Sequence, residues 1–207
     1  MALTSPKDMA RFQRRRRIVL AVVIFLILGA LLTVRSAWAD NWTHEYIEDF
    51  GIGVIVLAIL GRMWCTLYIG GRKSSEIVHL GPYSMSRNPL YVFSTVGAFG
   101  IGMMTGSLTV ALILAVLCYI AFHFVIIAEE GYLETVFGET YLAYKREVPR
   151  FFPNLRLYRE SDVLSVKSSM LYKTLADGLV FFISYPLLEF AEYLQSVNIL
   201  PVFFRFY

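Results

Sequence analysis

Charged residues are scarce along this chain. Its 207 residues are 57% hydrophobic but only 17% charged, and the mean hydropathy is +0.58. Soluble globular domains have about 25% charged and 45–50% apolar residues, so this composition excludes an ordinary soluble domain. The net charge of +3 is small and locally concentrated, which argues against a nucleic-acid partner. We therefore predict an integral membrane protein.

Cysteine is also rare. The two cysteines, Cys65 and Cys118, both lie inside apolar segments. They form neither a disulfide framework nor a metal-binding motif, so we interpret them as buried, inert thiols and predict no metal site. The chain has no predicted strand followed by GxGxxG and a helix, so the signature of a Rossmann domain is missing as well.

Long hydrophobic runs are abundant, and they predict an all-α, integral membrane helical bundle with about five transmembrane helices. The first span, Ile18 to Val34, follows the basic run Arg14 to Arg17, which by the positive-inside rule places the N-terminus in the cytoplasm. Small residues at Ala37 to Ala39 leave a cleaved signal peptide as the alternative. The acidic segment Arg35 to Asp49 is expected on the outer face, before a second span from about Phe50 to Gly70.

The second half of the chain contains a predicted hairpin and a less regular end. A third span from Pro89 to about Met104 and a fourth from Leu108 to Ala128 form the hairpin. The last apolar zone, Leu175 to Phe204, is interrupted by acidic residues and Pro186, so it is either a fifth span or a broken interfacial hairpin, and we favour the span. We expect one domain, 1–207, with an N-terminal two-helix part (1–73), a cofactor-binding core (74–158) and a C-terminal part (159–207).

Two polar segments flank the predicted hairpin. The first is Val78 to Tyr91, and the second contains Glu129, Glu130 and the run from Phe137 to Pro153. Because both ends of a helical hairpin lie at one membrane face, the two segments are expected to meet there. Their carboxylates, guanidinium groups and phenols suit ribose hydroxyls, an ammonium group or a carboxylate, while plain juxtamembrane anchoring is the alternative.

These segments contain four motifs: GPYSMSRNPLY at Gly81–Tyr91, EE at Glu129–Glu130, FGETYLAY at Phe137–Tyr144 and VPRFFP at Val148–Pro153. In order and spacing they resemble the isoprenylcysteine carboxyl methyltransferases and the related phospholipid methyltransferases, and the resemblance covers about residues 74–153. It implies binding of S-adenosylmethionine at the cytosolic membrane face and methyl transfer to a membrane-embedded, lipophilic acceptor.

The resemblance also implies roles for single residues. Arg150 would face the acceptor as a catalytic residue, and Glu130 would act as the base if the acceptor were an amine or a phenol, with His123 as a weaker candidate. Asn88 stands where many members have histidine, and Phe93 stands where many have glycine, a change that could alter the room near the cofactor. The implied cofactor-binding residues are Gly81, Tyr83, Arg87, Asn88, Pro89, Tyr91, Glu129 and Glu130.

Three other functions stay open. The acceptor could be a phospholipid amine rather than an isoprenylcysteine-like carboxylate. A sterol-type membrane reductase that uses NADPH is a second alternative, because those enzymes have an Arg-His-Pro motif where this chain has Arg87, Asn88 and Pro89. A non-enzymatic membrane scaffold is the third. We expect a multi-pass protein of a bacterial inner membrane, and the sequence leaves its oligomeric state and the identity of the acceptor open.

Overall fold

The computed structural model describes residues 18, 22, 26, 27, 29–39, 41–70 and 76–207. Within this part of the chain, three helices are long and apolar enough to cross a membrane, and a fourth apolar helix is shorter. The prediction of an all-α membrane bundle is therefore confirmed. The elements are β1 (Val34–Ser36), α1 (Trp42–Ile69), α2 (Pro82–Met85), α3 (Pro89–Met103), α4 (Leu108–Phe137), α5 (Glu139–Glu147), a 3₁₀ turn (Leu155–Leu157), α6 (Ser168–Ser196) and β2 (Phe204–Phe206), with β1 and β2 paired in parallel.

Helix α1 begins earlier than the sequence predicted. It starts at Trp42 rather than at about Phe50, so the second half of the acidic segment assigned to an outer loop forms the first turns of the helix. A carboxylate in the first turn of a helix interacts favourably with the helix dipole, and Glu45 is in this position. Glu48 contacts His44 one turn earlier. The acidic charge therefore supports the start of a helix instead of marking a loop.

Helix α4 also exceeds its predicted length. It continues through Glu129 and Glu130 to Phe137, whereas the predicted span ends at Ala128. Both glutamates are buried, so their charge does not mark the point where the helix ends. At ~1.5 Å per residue, the 30 residues of α4 measure about 45 Å, which exceeds the ~30 Å hydrocarbon core of a bilayer. The last turns of α4 therefore project beyond the membrane and lead into α5.

The last apolar zone forms one helix instead of a broken hairpin. Helix α6 is continuous over 29 residues and contains Pro186 in its interior. A proline removes one backbone hydrogen bond but need not end a helix that packs against neighbours in a membrane. The favoured span interpretation agrees with this helix. The first predicted span lies largely outside the described residues, although the described positions between Ile18 and Leu31 are helical, so the count of five spans stays a prediction.

Glycine residues place α3 at the centre of the bundle. It packs between α1 and α4, and none of its residues is exposed. A Cβ atom on Gly100 would lie 2.8 Å from Ile55 of α1, and one on Gly102 would lie 2.3 Å from the Cα atom of Ala111 of α4. These small residues let neighbouring helix backbones approach closely.

Helix α3 is much shorter than its neighbours. Its 15 residues measure about 22 Å, against about 42 Å for the 28 residues of α1. A tight turn around Gly106 joins α3 to α4 at one end, so α3 stops far short of the other end of α4. Residues 76–88, including the single turn of α2, lead into the start of α3 and lie beside the last turns of α4.

Candidate cofactor site

The two polar segments meet in a cleft at the N-terminal end of α3. The cleft contains about 870 Å³ of empty space, counted out to its open mouth. Six of the predicted cofactor residues line it, namely Tyr83, Arg87, Asn88, Tyr91, Glu129 and Glu130. The remaining wall is largely apolar and aromatic, formed by Ile69, Glu76, Ile77, Val78, Leu90, Tyr132, Leu133, Tyr141 and Tyr144. The expected convergence at one membrane face is therefore present in the structure.

Glu130 is the centre of a hydrogen-bond network at the inner end of this cleft. Its side chain is only 4% exposed, and it accepts from Arg87 Nε at 2.9 Å and from Arg87 Nη2 at 3.4 Å. Asn88 Nδ2 donates to the same carboxylate at 3.2 Å, and Arg150 Nε donates at 3.1 Å. The carboxylate of Glu130 thus joins residues from both polar segments.

Arg87 connects the same segments through the backbone. Its Nη1 atom donates to the carbonyl oxygens of Lys145 at 2.9 Å and Val148 at 2.6 Å, and its backbone N–H donates to Pro149 O at 2.9 Å. The Arg87 side chain is 7% exposed, so these donors are held away from water. Arg87 therefore shapes the cleft by holding the end of α5 and the following turn against α3.

The hydrogen bonds of Asn88 explain how asparagine fits a position where many members of the family that the motifs resemble have histidine. Its Nδ2 group carries two hydrogen atoms, and it donates one bond to Glu130 and another, at 3.1 Å, to the carbonyl oxygen of Arg150. A neutral imidazole has a single N–H and could serve only one of these acceptors. Asparagine therefore fits this network without requiring a charged ring.

Glu129 presents a second buried carboxylate to the cleft. Tyr91 Oη donates to Glu129 Oε2 at 2.9 Å, and the Tyr91 ring packs on Phe122 with ring centres 4.7 Å apart. Glu129 and Glu130 are consecutive on α4, yet their polar partners differ, because Glu130 contacts the guanidinium groups of Arg87 and Arg150. The two glutamates are therefore not equivalent, although both line the cleft.

Tyr83 supplies a donor that none of the described residues uses. Its Oη atom is buried in the cleft wall and has no hydrogen-bond partner among the described residues. Burial raises the pKa of Tyr83 well above its usual value, so the phenol keeps its proton. A buried hydroxyl without a partner is costly, and a polar ligand in the cleft would provide the missing acceptor. The backbone oxygen of Tyr83 accepts from Tyr144 Oη at 2.7 Å, which fixes α2 against α5.

Arg150 lies at the open side of the network. Its side chain is 40% exposed, and its Nη1 and Nη2 atoms make no hydrogen bond with any residue that the structure describes. The next two residues are aromatic: Phe151 packs edge-on against Tyr119 with ring centres 4.8 Å apart, whereas Phe152 is exposed. The placement suits a guanidinium that meets an acceptor at the membrane boundary, which is the predicted role. His123 packs against the ring of Tyr119, and no polar contact with a described residue indicates that it acts as a base.

Three further residues from the sequence analysis lie beside the cleft without lining it. Gly81 has a left-handed backbone, with φ of 56°, and a Cβ atom there would lie 2.3 Å from the Tyr68 ring. Pro89 begins α3. Phe93 lies against α1, where its ring occupies the space that a Cβ atom on Gly61 would need. Because residue 61 has no side chain, the Phe93 ring packs against α1 at this position and does not narrow the cleft.

The sequence analysis missed several residues of the cleft wall. Tyr141 and Tyr144 are three residues apart on α5 and share one face, and burial raises the pKa of both phenols. Their helical spacing within the FGETYLAY motif could have indicated that both rings face the cleft. Tyr132, one turn beyond Glu129, was a second one, because the helix continues past the glutamates. No comparable pattern pointed to Glu76.

The side chains that line the cleft are compatible with S-adenosylmethionine. The Glu129 carboxylate suits ribose hydroxyls or an ammonium group, and the Tyr83 hydroxyl suits an acceptor atom. The tyrosines and aliphatic side chains of the wall suit a flat adenine ring.

Fold and cleft together define a class: multi-pass helical membrane proteins with a polar small-molecule cleft at one end of the bundle. Within this class, the family model for phospholipid methyltransferases matches residues 17–140, and the chain belongs to that family. This confirms the family resemblance drawn from the four motifs.

Curated relatives include bacterial metal-resistance proteins. A nickel-cobalt-cadmium resistance protein from Alcaligenes xylosoxydans xylosoxydans is 38% identical over 203 residues, covering 98% of this chain and 95% of the relative. A cobalt-zinc-cadmium resistance protein from Cupriavidus metallidurans is 39% identical over 171 residues, covering 82% of this chain and 79% of the relative. A protein-S-isoprenylcysteine O-methyltransferase from Schizosaccharomyces pombe is 32% identical over 81 residues, covering 39% and 34%. No solved structure matches this chain.

Proposed function

We propose that this protein transfers a methyl group from S-adenosylmethionine to a lipophilic acceptor in the membrane. The observation that carries the proposal is the buried pair of ligand-facing groups in the cleft: the Glu129 carboxylate and the unpartnered Tyr83 hydroxyl. They lie in a chain of the phospholipid methyltransferase family. If the N-terminus is cytoplasmic, as its basic run predicts, the cleft opens to the cytosol, where a soluble cofactor is available.

The residues of the cleft divide into ligand-facing and positioning groups. S-adenosylmethionine brings a methyl group that its sulfonium centre already activates, so the protein mainly has to align the reactants and exclude water. Glu129 and Tyr83 would hold the cofactor. Glu130, Arg87 and Asn88 would hold the walls of the cleft in position, since their polar atoms are engaged with one another.

This division bears on the acceptor. Glu130 already accepts hydrogen bonds from three side chains, so the geometry favours a positioning role over the role of general base. A carboxylate acceptor needs no base, whereas an amine or a phenol does. Arg150 is 40% exposed, and its Nη1 and Nη2 atoms make no hydrogen bond with the described residues. Such a guanidinium group suits an anionic acceptor. We therefore favour a carboxylate on a lipophilic molecule over a phospholipid amine.

Binding experiments on the detergent-purified protein test the cofactor assignment. Calorimetric titration with S-adenosylhomocysteine should detect one site, and NADPH should not bind. Glu129→Gln should weaken binding roughly tenfold or more, because losing a charged acceptor costs on the order of 1.5–3 kcal/mol. Glu139→Gln on α5 is the matched control, since this glutamate is exposed. Equal affinity in both variants would refute the role of Glu129, and binding of NADPH alone would favour the reductase alternative.

A labelling experiment addresses the acceptor. Incubation with S-adenosylmethionine carrying an isotopically labelled methyl group and a native lipid extract should label a lipid-soluble product. Mass spectrometry then distinguishes a methyl ester from an N-methyl amine. A base-labile methyl ester supports the carboxylate acceptor. Labelled phosphatidylethanolamine derivatives would support the phospholipid alternative, and cofactor binding without any labelled product would support a scaffold.

We also propose that the reaction takes place within a bacterial response to divalent metals. The support is the identity of 38% along nearly the whole chain to a relative named for nickel-cobalt-cadmium resistance. Expression of this protein in a Cupriavidus metallidurans strain whose own relative has been deleted should restore growth on cobalt, zinc or cadmium. The Glu129→Gln variant should restore it less well. Equal growth with and without the wild-type protein would contradict this context.

A further inference from the structure

Three side chains converge at the end of the bundle opposite the cleft. His44 Nε2 lies 3.1 Å from Glu48 Oε1 on the same helix, α1, and 3.3 Å from Glu192 Oε2 on α6. The side chains of His44 and Glu48 are about nine-tenths buried, and that of Glu192 is 27% exposed. The ligand-capable atoms of the three residues all lie within 4.8 Å of one another. A buried nitrogen atom and two carboxylates thus lie close together, and the cluster is most accessible to solvent at Glu192.

This cluster is far from the cofactor cleft. Ile69 at the end of α1 lines the cleft, whereas His44 lies in the first turn of the same helix. At ~1.5 Å per residue, the two positions are separated by roughly 38 Å along the helix axis. The cluster therefore belongs to the other membrane face and takes no part in the proposed methyl transfer.

Hydrogen bonding alone does not account well for the convergence. An imidazole nitrogen carries at most one hydrogen atom, which can point well at one acceptor, yet two carboxylate oxygens approach the same Nε2 atom. Metal ligands at 2.0–2.2 Å from a central ion lie about 2.8–3.6 Å apart at octahedral or tetrahedral angles. Both distances from Nε2 fall in this interval. These two distances are compatible with an imidazole and two carboxylates that coordinate one ion.

The other ring nitrogen of His44 supports the same interpretation. His44 Nδ1 is buried and has no hydrogen-bond partner among the described residues. The ring is also fixed in place, because Nδ1 lies where a Cβ atom on Gly106 would be only 1.8 Å away. A rigidly held imidazole with Nε2 toward two carboxylates is a preformed metal ligand.

We propose that His44, Glu48 and Glu192 bind one divalent transition-metal ion at this face of the bundle. Mixed imidazole and carboxylate ligands favour Zn²⁺, Co²⁺ or Ni²⁺ over Mg²⁺ or Ca²⁺, which prefer oxygen ligands alone. Water would complete the coordination on the open side. Binding displaces any proton on Nε2 and joins α1 to α6. The sequence analysis predicted no metal site, because the proposed ligands come from opposite ends of the chain.

Calorimetric titration with Zn²⁺ tests the site in the full-length protein, purified without a polyhistidine tag and stripped with a chelator. The wild type should bind one ion, and excess Mg²⁺ should not displace it. Glu192→Gln and His44→Gln should each lower the affinity for Zn²⁺ at least about tenfold. Glu45→Gln is the matched control, because it removes an exposed carboxylate from the same turn of α1. The affinity of that variant should equal that of the wild type.

Two further measurements make the outcome unambiguous. Zn²⁺ should raise the melting temperature of the wild type, as any ligand of the native state does, and should raise that of Glu192→Gln less. Affinity for S-adenosylhomocysteine should be unchanged in both cluster variants, which shows that they are folded. Absence of Zn²⁺ binding to the wild type would establish an ion triad and overturn the proposal. Equal Zn²⁺ affinity in the folded cluster variants and the control would overturn it too, since the ion would then bind elsewhere.

Discussion

Glu130 offers the sharpest test of how the cleft is held together. Glu130→Gln keeps the size of the side chain but removes the negative charge that faces Arg87 and Arg150. Removing one partner of a buried ion pair costs about 3–5 kcal/mol, because the remaining charge is left without compensation. The pair of Arg87 and Glu130 is buried in this sense, because the two side chains are only 7% and 4% exposed. Arg150 is 40% exposed, so its pair with Glu130 adds at most about 1 kcal/mol.

The expected loss of stability is therefore about 3 kcal/mol, at the lower end of the range, since glutamine can still accept one hydrogen bond. For chains of 150–250 residues, each kcal/mol lowers the melting temperature by about 2–4 °C, which gives about 6–12 °C. Glu130→Gln should also weaken S-adenosylhomocysteine binding, because the cleft walls are no longer fixed. Glu129→Gln should weaken binding with little change in melting temperature.

Melting of the detergent-purified variants, followed by circular dichroism, is the assay, with Glu139→Gln as the exposed control. A melting temperature of Glu130→Gln within about 2 °C of the control would refute the argument that Glu130 holds the two segments together. A double variant, Arg87→Met with Glu130→Gln, should lose less stability than the sum of the single changes. Strict additivity would show that the two side chains do not interact energetically.

Three further predictions follow from the same contacts. Arg150→Lys should lower turnover while leaving S-adenosylhomocysteine affinity nearly intact, and Arg150→Ala should lower turnover more; normal turnover in the alanine variant would end the acceptor assignment. Gly61→Ala should cost roughly 1–3 kcal/mol, because its Cβ would lie 2.1 Å from the Phe93 ring, and Phe93→Ala should relieve most of that loss in the double variant. A cysteine at the exposed Thr140, in a cysteine-free background, should react with an impermeant maleimide only after the cells are permeabilised. Labelling in intact cells would reverse the orientation.

Hydropathy and hairpin geometry were sufficient to predict most of the architecture. Apolar runs predicted α3 and the membrane part of α4, and the hairpin between them required Arg87 and Glu130 to lie at the same face. Both residues do meet, at 2.9 Å. This succeeded because a backbone in lipid must satisfy its own hydrogen bonds, so a long apolar run has few structural options besides a helix.

Charge gave less reliable information. Acidic residues before Phe50 and at Glu129 and Glu130 suggested the ends of spans, but in both places the helix continues, and Glu48, Glu129 and Glu130 are buried. Which partner a buried charge finds depends on packing that no local pattern encodes. The contact between His44 and Glu192 is the clearest case, because it joins the first turn of α1 to the end of α6.

The short central helix has a consequence for where the chemistry can occur. Had α3 been as long as α1, apolar side chains would fill the bundle up to the membrane boundary, and water would be excluded from its whole depth. Gly61 of α1 packs against Phe93 of α3, so α1 and α4 both continue past the start of α3 at Pro89, and the cleft opens between them. Under the proposed function, the cofactor would enter this cleft from the aqueous side while the lipophilic acceptor approaches from the membrane. The position at which α3 begins would thus set the depth at which the two reactants meet.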